Sequence, residues 1–305
     1  MANTFVVSGM GFAKLNTVTI PVTDISYSPN LGVEPFRSGG DINASMVRRA
    51  GSRPVFRFTA PLASVWGVLG SFLPVAATAF EMYQALFTSG LRVSTGATIY
   101  KLHTTGTAYA VITGISPSGG TVPIINAEVT VYLCSIDGLL DPITVTTGSL
   151  PTLAATPTLH TIGPMVDNTT AVWGLKTWRI DTGVGMEPIQ SDGFFYPSSY
   201  RTNLIQASAT VSHADAATLY AALTSDGKDS TGAGFILYAR AYNMTTKVLD
   251  TTGYSFTFAK AFASLDQIRL SGTDLAELGV TLTSYADPGS LVHPITVATS
   301  ATLPT

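Results

Sequence analysis

Gly32-Val33-Glu34-Pro35-Phe36-Arg37-Ser38-Gly39-Gly40 and Gly185-Met186-Glu187-Pro188-Ile189-Gln190-Ser191-Asp192-Gly193 carry one pattern twice. Gly32, Glu34, Pro35, Ser38 and Gly40 recur as Gly185, Glu187, Pro188, Ser191 and Gly193, each displaced by 153 positions. Far along the chain, Pro142-Ile143-Thr144-Val145 recurs as Pro294-Ile295-Thr296-Val297, displaced by 152. Two matches on nearly one diagonal, at half the length of a 305-residue chain, mark two copies of one unit fused head to tail. The expected division is a first β domain over 1–150, a linker over 151–166 and a second β domain over 167–305. From Thr147 to Pro164 the chain is uncharged and holds Pro151, Pro157 and Pro164, which reads as extended linker.

Short runs of Thr, Val, Ile and Tyr, parted by Gly, Pro, Ser and Asp, predict a mainly β chain. Over Arg53 to Phe58, Phe56 and Phe58 share one face while Arg53, Val55 and Arg57 share the other. At the repeat offset, Ala207, Ala209 and Val211 oppose Gln206, Ser208 and Thr210, so the apolar side is kept. A short helix is expected after each of these strands. Thr59 and Ser212 are the expected N-caps, Pro61 suits the first turn, and Asp215 suits the positive end of the dipole. Val65, Trp66 and Leu69, then Leu219, Tyr220 and Leu223, give the apolar stripes. A second helix is read over Val75 to Phe87 in the first copy. Later strands are Thr98–Leu102, Ala108–Gly114 and Glu128–Leu133, with counterparts at Gly234–Tyr242, Tyr254–Ala259 and Leu278–Thr283.

Charged residues make up 11% of the chain against a usual ~25%, and hydrophobic residues 46%. Such a surface either consists of Thr and Ser, and there are 43 threonines, or is covered by other subunits. A net charge of -3 supplies no field to draw in nucleic acid. The uncharged stretch Thr59 to Phe80 is no membrane span, because Pro61, Gly67, Gly70 and Pro74 interrupt it and its repeat partner is polar. No secretory signal pattern opens the chain, so synthesis and assembly in a cytosol are expected.

No catalytic, metal or cofactor constellation emerges, and the chain is read as a non-enzyme without cofactors. Cys134 is the only cysteine, and His103, His160, His213 and His293 show no metal-ligand spacing. Each histidine is expected at a surface or a helix end. Gly9 and Gly11 precede a strand rather than a helix, so they read as a hairpin or bulge and not a phosphate loop. Glu34 and Glu187 are the repeat-matched acids, and a loop-organising ion pair or hydrogen bond is expected of them. Arg37, Arg48, Arg49, Arg53 and Arg57 break the low-charge rule, and the cluster reads as absent from the second copy, where Ser199, Thr202 and Gln206 stand nearby. No aromatic residues interleave with these arginines as single-strand binding requires. The second copy carries 12 acids to 8 bases, which favours a subunit boundary over phosphate contact.

Trp178-Arg179-Ile180-Asp181-Thr182-Gly183, then Glu187-Pro188 and Ser191-Asp192-Gly193, resembles the N-terminal part of tail tube proteins of long-tailed bacteriophages. Ile25 to Gly40 is a weaker version of the same order. The resemblance implies two tandem β-sandwich or half-barrel domains of the same fold, each with a short flanking helix. It implies rings stacked into a tube that conducts DNA without specific binding. Most family members carry one such domain and form hexamers, so a doubled chain would close a pseudo-hexameric trimer. Implied partners are other copies of the chain and the tail-end and tape-measure proteins, in the virion tail and away from membranes. The implied interface loops contain Gly32, Glu34, Pro35, Ser38, Gly40, Arg48, Arg49, Arg53, Gly185, Glu187, Pro188, Ser191 and Gly193. The arginine cluster is expected to face away from the channel, since phosphate contacts would hold DNA back. The alternatives are a duplicated-domain phage capsid protein and a carbohydrate-binding β-sandwich module.

Overall fold

The computed structural model describes residues 7–36, 46–87, 98–149, 151–152, 158–167, 170–191, 193–203, 205–213, 218, 228–243, 245–269, 277–286 and 292–304. The protein is mainly β, with large antiparallel sheets. Its first half holds β1 (Val7–Leu15), β2 (Val18–Val22), β3 (Asp24–Ser28), β4 (Leu31–Phe36), β5 (Met46–Ser52) and β6 (Val55–Pro61). The helix α1 (Leu62–Leu69) follows, then β7 (Val75–Ala77), β8 (Phe80–Phe87), β9 (Thr98–Thr104), β10 (Ala108–Ser118), β11 (Ile124–Leu133) and β12 (Ile143–Thr147). The second half holds β13 (Leu159–Asp167), β14 (Thr170–Val172), β15 (Leu175–Asp181), β16 (Met186–Ile189) and β17 (Ser199–Thr202). It ends with β18 (Ser208–His213), β19 (Lys228–Asn243), β20 (Val248–Arg269), β21 (Glu277–Ser284) and β22 (Ile295–Thr302).

In the first half a run β3-β6-β11-β10 packs against a sheet ordered β12-β9-β8-β1-β2. Phe56 and Phe58 of β6 meet Phe80 of β8 at 5.1 and 6.2 Å between ring centroids, which ties the layers together. In the second half, β15-β18-β21-β20 and β22-β20-β19-β13-β14 occur in the corresponding orders. There β19 stands in the places of both β7 and β8, and β20 in those of β9 and β10. The second half's two layers consequently merge, and through the β10–β15 pairing they continue into β3, β6, β11, β10 and β7 as one thirteen-stranded sheet, while β12-β9-β8-β1-β2 stays a separate five-stranded sheet.

Registers recur along with the order. Asp24 faces Thr59 and Ser28 faces Val55; 153 positions on, Thr177 faces Ser212 and Asp181 faces Ser208. Val75 faces Ala110 and Ala77 faces Ala108; likewise Lys228 faces Ala263 and Ser230 faces Ala261. Even the register break in β10, between Ile112 and Gly114, reappears in β20 between Leu265 and Gln267. A one-residue slip would turn every side chain to the wrong face, so a bulge held at the same place in both halves fixes the same in-and-out pattern. Core volume is redistributed between them. Ile25, Phe56 and Phe58 correspond to Trp178, Ala209 and Val211, and the fully buried indole occupies space that smaller neighbours leave.

Four local readings need correction. The helix α1 starts at Leu62 with Pro61 as its N-cap, and Thr59 is a strand residue facing Asp24 and Glu128. Gly70, at φ 60, ends that helix and donates its N–H to the Trp66 carbonyl at 2.8 Å. Val75 to Phe87 forms β7 and β8, because cross-strand pairing with β1, β9 and β10 outweighs helical spacing. The stretch read as linker runs into β13, where His160, Thr161, Met165 and Val166 are buried and the strand pairs with β19. His160, His213 and His293 are all buried rather than superficial. The helix expected after Ser212 lies almost wholly outside the described residues. Gly9 and Gly11 do flank a register break in the β1·β8 ladder.

The halves share one hydrophobic core. Phe72, from the segment after α1, reaches Phe256 and His293 of the second half, with centroids 6.5 and 4.8 Å away. Replacing Phe72 by Ala should cost about 3–5 kcal/mol and lower a single calorimetric transition shared by both halves. Burial pushes the His160 imidazole down to about 4, against an upward pull from the Thr158 backbone. The unfolded chain therefore takes up this proton first, near its ordinary pKa of about 6.5. The His160 contribution to stability should fall as pH drops from about 6.5 towards about 4 and level off below that, and His160→Leu should shrink the fall over this window in thermal melts.

Candidate assembly surface

Polar strand residues that point away from the core form a long face running across both halves. Asp24 and Ser26 of β3, Arg57 and Thr59 of β6, and Glu128 and Thr130 of β11 lie side by side through their registers. Thr177 and Arg179 of β15, Ser208 and Thr210 of β18, and Thr281 and Thr283 of β21 continue it. Short hydroxyl side chains dominate, and the acids Asp24, Glu128 and Asp181 offset Arg57 and Arg179. The low charge fraction of the sequence is thus expressed on this face as balance rather than as apolar exposure.

The halves are joined edge to edge where β10 meets β15, with Gly114 facing Asp181 and Ile115 facing Ile180. Thr182 locks the joint: its N–H donates to Thr113 O at 3.2 Å and its Oγ1 to Ile112 O at 2.6 Å, in a fully buried position. His293 Nε2 lies 2.9 Å from Thr182 O on the other side. Arg179 spans the joint to Glu128 at 3.0 Å. The chain then turns at Gly183, φ 65, where a Cβ would come within 2.1 Å of Gln206 O. Only glycine fits that turn.

Beyond it, β16 and β17 form a two-stranded ribbon in which Glu187 faces Arg201. The expected ion pair is present here: Arg201 Nη2 stands 2.8 Å and its Nε 2.9 Å from Glu187 Oε2. The matching ribbon, β4 with β5, has the same register, and its backbone sets Glu34 opposite Arg48. Arg201 is the residue 153 positions after Arg48, so the arginine cluster is not wholly missing from the second half. That signal was legible in the sequence at the offset already established.

The β16–β17 ribbon and its connecting loop dock on the first half. Ser52 N–H donates to Phe195 O at 2.8 Å and Ser135 N–H to Pro197 O at 2.9 Å, while Phe195 N–H donates to Gly138 O at 2.8 Å. Tyr200 lies against Tyr132 and Tyr109, with centroids 5.2 and 6.4 Å away. Burial pushes the Tyr200 phenol well above its ordinary value, so it stays neutral. Ser191 O accepts from Phe194 N–H at 3.1 Å, and Gly193 supplies φ 84 in the same loop.

Gly185 O accepts from Asn203 N–H at 2.9 Å at the ribbon base, and Pro188 pairs with Tyr200. Gly32 faces Gly51 and Pro35 faces Val47 in β4–β5, with Val33 opposite Arg49. Arg53 is exposed and its N–H meets Asn30 O at 3.3 Å. Ser38 and Gly40, with Arg37, lie outside the described residues. Arg57 stands apart from the ribbon, on the polar sheet face. Among the described residues no three His, Cys, Asp or Glu side chains come together as a metal set. No family model and no curated protein matches this chain.

The Glu187–Arg201 pair is exposed, its side chains 47% and 66% accessible, so it adds little to folding. Replacing Glu34 and Glu187 together by Ala should leave circular dichroism and melting almost unchanged. The same variant should lower the yield of sedimentable polymer, because the ribbons would lose their fixed shape. Full polymer yield would refute an organising role for the pair.

Proposed function

We propose that this chain is a structural virion subunit, a doubled tail tube protein that assembles into stacked rings around a DNA channel. The observation that carries the reading is the edge-to-edge joint between two runs of identical strand order and register. One chain already contains two consecutive sectors of a larger closed sheet. Closing that sheet with further copies satisfies the main-chain groups at its edges, which is how barrels avoid open edges. Three chains would supply six such sectors.

The polar face is the surface assigned to the channel. Its hydroxyl-rich, charge-balanced character suits a wall past which DNA slides, since each cation paired with phosphate adds salt-dependent affinity. This assignment revises one expectation: Arg57 lies on that face, beside Asp24 and Glu128, although the other described arginines of the cluster belong to the ribbon or its base. No catalytic role is assigned to any residue. Tail-end and tape-measure proteins are the further partners of such a tube, in the virion tail after assembly in a host cytoplasm.

Negative-stain microscopy of the purified chain tests the proposal. Rings or tubes with a central hole are expected. Closed shells would point to a capsid protein, and monomers that bind sugar to a carbohydrate-binding module; either would overturn the tube.

A further inference from the structure

The repeated registers specify where one copy should meet the next. Within the chain, the joint uses Gly114 and Ile115 of β10 with Asp181 and Ile180 of β15. Their equivalents, 153 positions away, are Gln267 and Ile268 of β20, and Ser28 and Tyr27 of β3. Both equivalents are edges. Strand β3 pairs with β6 alone, and the 267–268 segment of β20 pairs with β21 on one side, with no strand on its other side among the described residues.

Exposure supports the correspondence independently. Ile180 is fully buried in the joint, whereas Tyr27 at the matching place is 38% exposed. Tyr109 lies against the Tyr200 ring, whereas its equivalent, Phe262, is 45% exposed. Two large rings are thus left partly exposed, Tyr27 even though one side of it packs on Phe56 at 5.0 Å, where the same positions in the other half are covered. An apolar side chain at a place whose twin is covered is what an unfilled interface looks like.

We infer that two copies of this chain join by antiparallel pairing of β3 in one with β20 in the other, Ser28 facing Gln267 and Tyr27 facing Ile268. The β4–β5 ribbon of the first copy then lies over Phe262 of its neighbour, as β16–β17 lies over Tyr109 within the chain. The occupant of these edges rests on the self-assembly reading above; the register rests on the internal repeat alone. The seam between copies is not identical to the joint within one. Pro29 stands where Thr182 donates its N–H, and Ser26 and Gly279 stand where Arg179 and Glu128 pair, the latter at a displacement of 151 set by the β21 register. The inter-copy seam is therefore the weaker of the two.

Cysteine pairing tests the register. Directly opposed residues of an antiparallel ladder have Cα atoms about 4.5–5.5 Å apart, within reach of a disulfide. Ser28→Cys with Gln267→Cys, oxidised by copper-phenanthroline, should give a ladder of covalent multimers on non-reducing gels. Each single variant, and the off-register pair Ser26→Cys with Gln267→Cys, should give at most a trace. Cys134 is buried, with its thiol pushed up to about 11 by that burial, and the single variants report any contribution from it. A second variant, Phe262→Ser, changes an exposed ring and should keep the fold while lowering assembly at least several-fold. Polymers by microscopy with no Ser28–Gln267 ladder would overturn this register and leave self-assembly standing. Monomers with no ladder at high concentration would overturn both.

Discussion

Main-chain pairing between β10 and β15 is the contact on which the molecule's organisation depends. It is short, yet it joins one layer of the first half to the sheet of the second half as a continuous run of strands. Everything around it is arranged to hold that alignment. Thr182 is buried with both its donors engaged, His293 approaches its carbonyl, and Phe72 crosses beneath into the second half's core. An edge that carries unpaired N–H and C=O groups invites another strand, and here the invitation is answered from within the chain.

Pairing on one edge raises the question of the others. The polar face leaves the side of the sheet away from the core wet, and the β16–β17 ribbon reaches over it to Tyr132 and Tyr109. In the proposed assembly the duplication would bring a geometric economy: one of every two joints is made during folding, where no translational freedom is lost, and association would need only to form the other.

Much of this was legible in the sequence, and the parts that were not have physical reasons. The alternation over Arg53 to Phe58 reads directly as β6, because a strand buried on one face leaves a period of two. The recurring Gly-x-Glu-Pro run marks the two ribbons, but it is not the loop expected of it: Glu34-Pro35 and Glu187-Pro188 are strand residues, because each is paired across its ribbon. The same offset applied to Arg48 points to Arg201. The spacing of Phe80, Tyr83 and Phe87 misled, since an apolar run in a strand flanked on both sides is also compatible with helical periodicity. Thr59 was a plausible cap by chemistry alone, but its place opposite Glu128 is decided by a partner some seventy residues away. The joint itself left no trace, for Gly114 and Ile115 are contacted through backbone groups that every residue shares. Buried histidines escaped for a similar reason: their partners are carbonyls such as Trp173 O and Thr182 O, which no motif announces.

The central claim is that the chain closes on further copies of itself into a ring of defined number. Native mass spectrometry of the assembled protein addresses it most directly. The account requires a discrete species of three 31.9 kDa chains, or stacks in multiples of it. A spectrum that holds only the single chain at every concentration, or an open series with no preferred multiple, would contradict it.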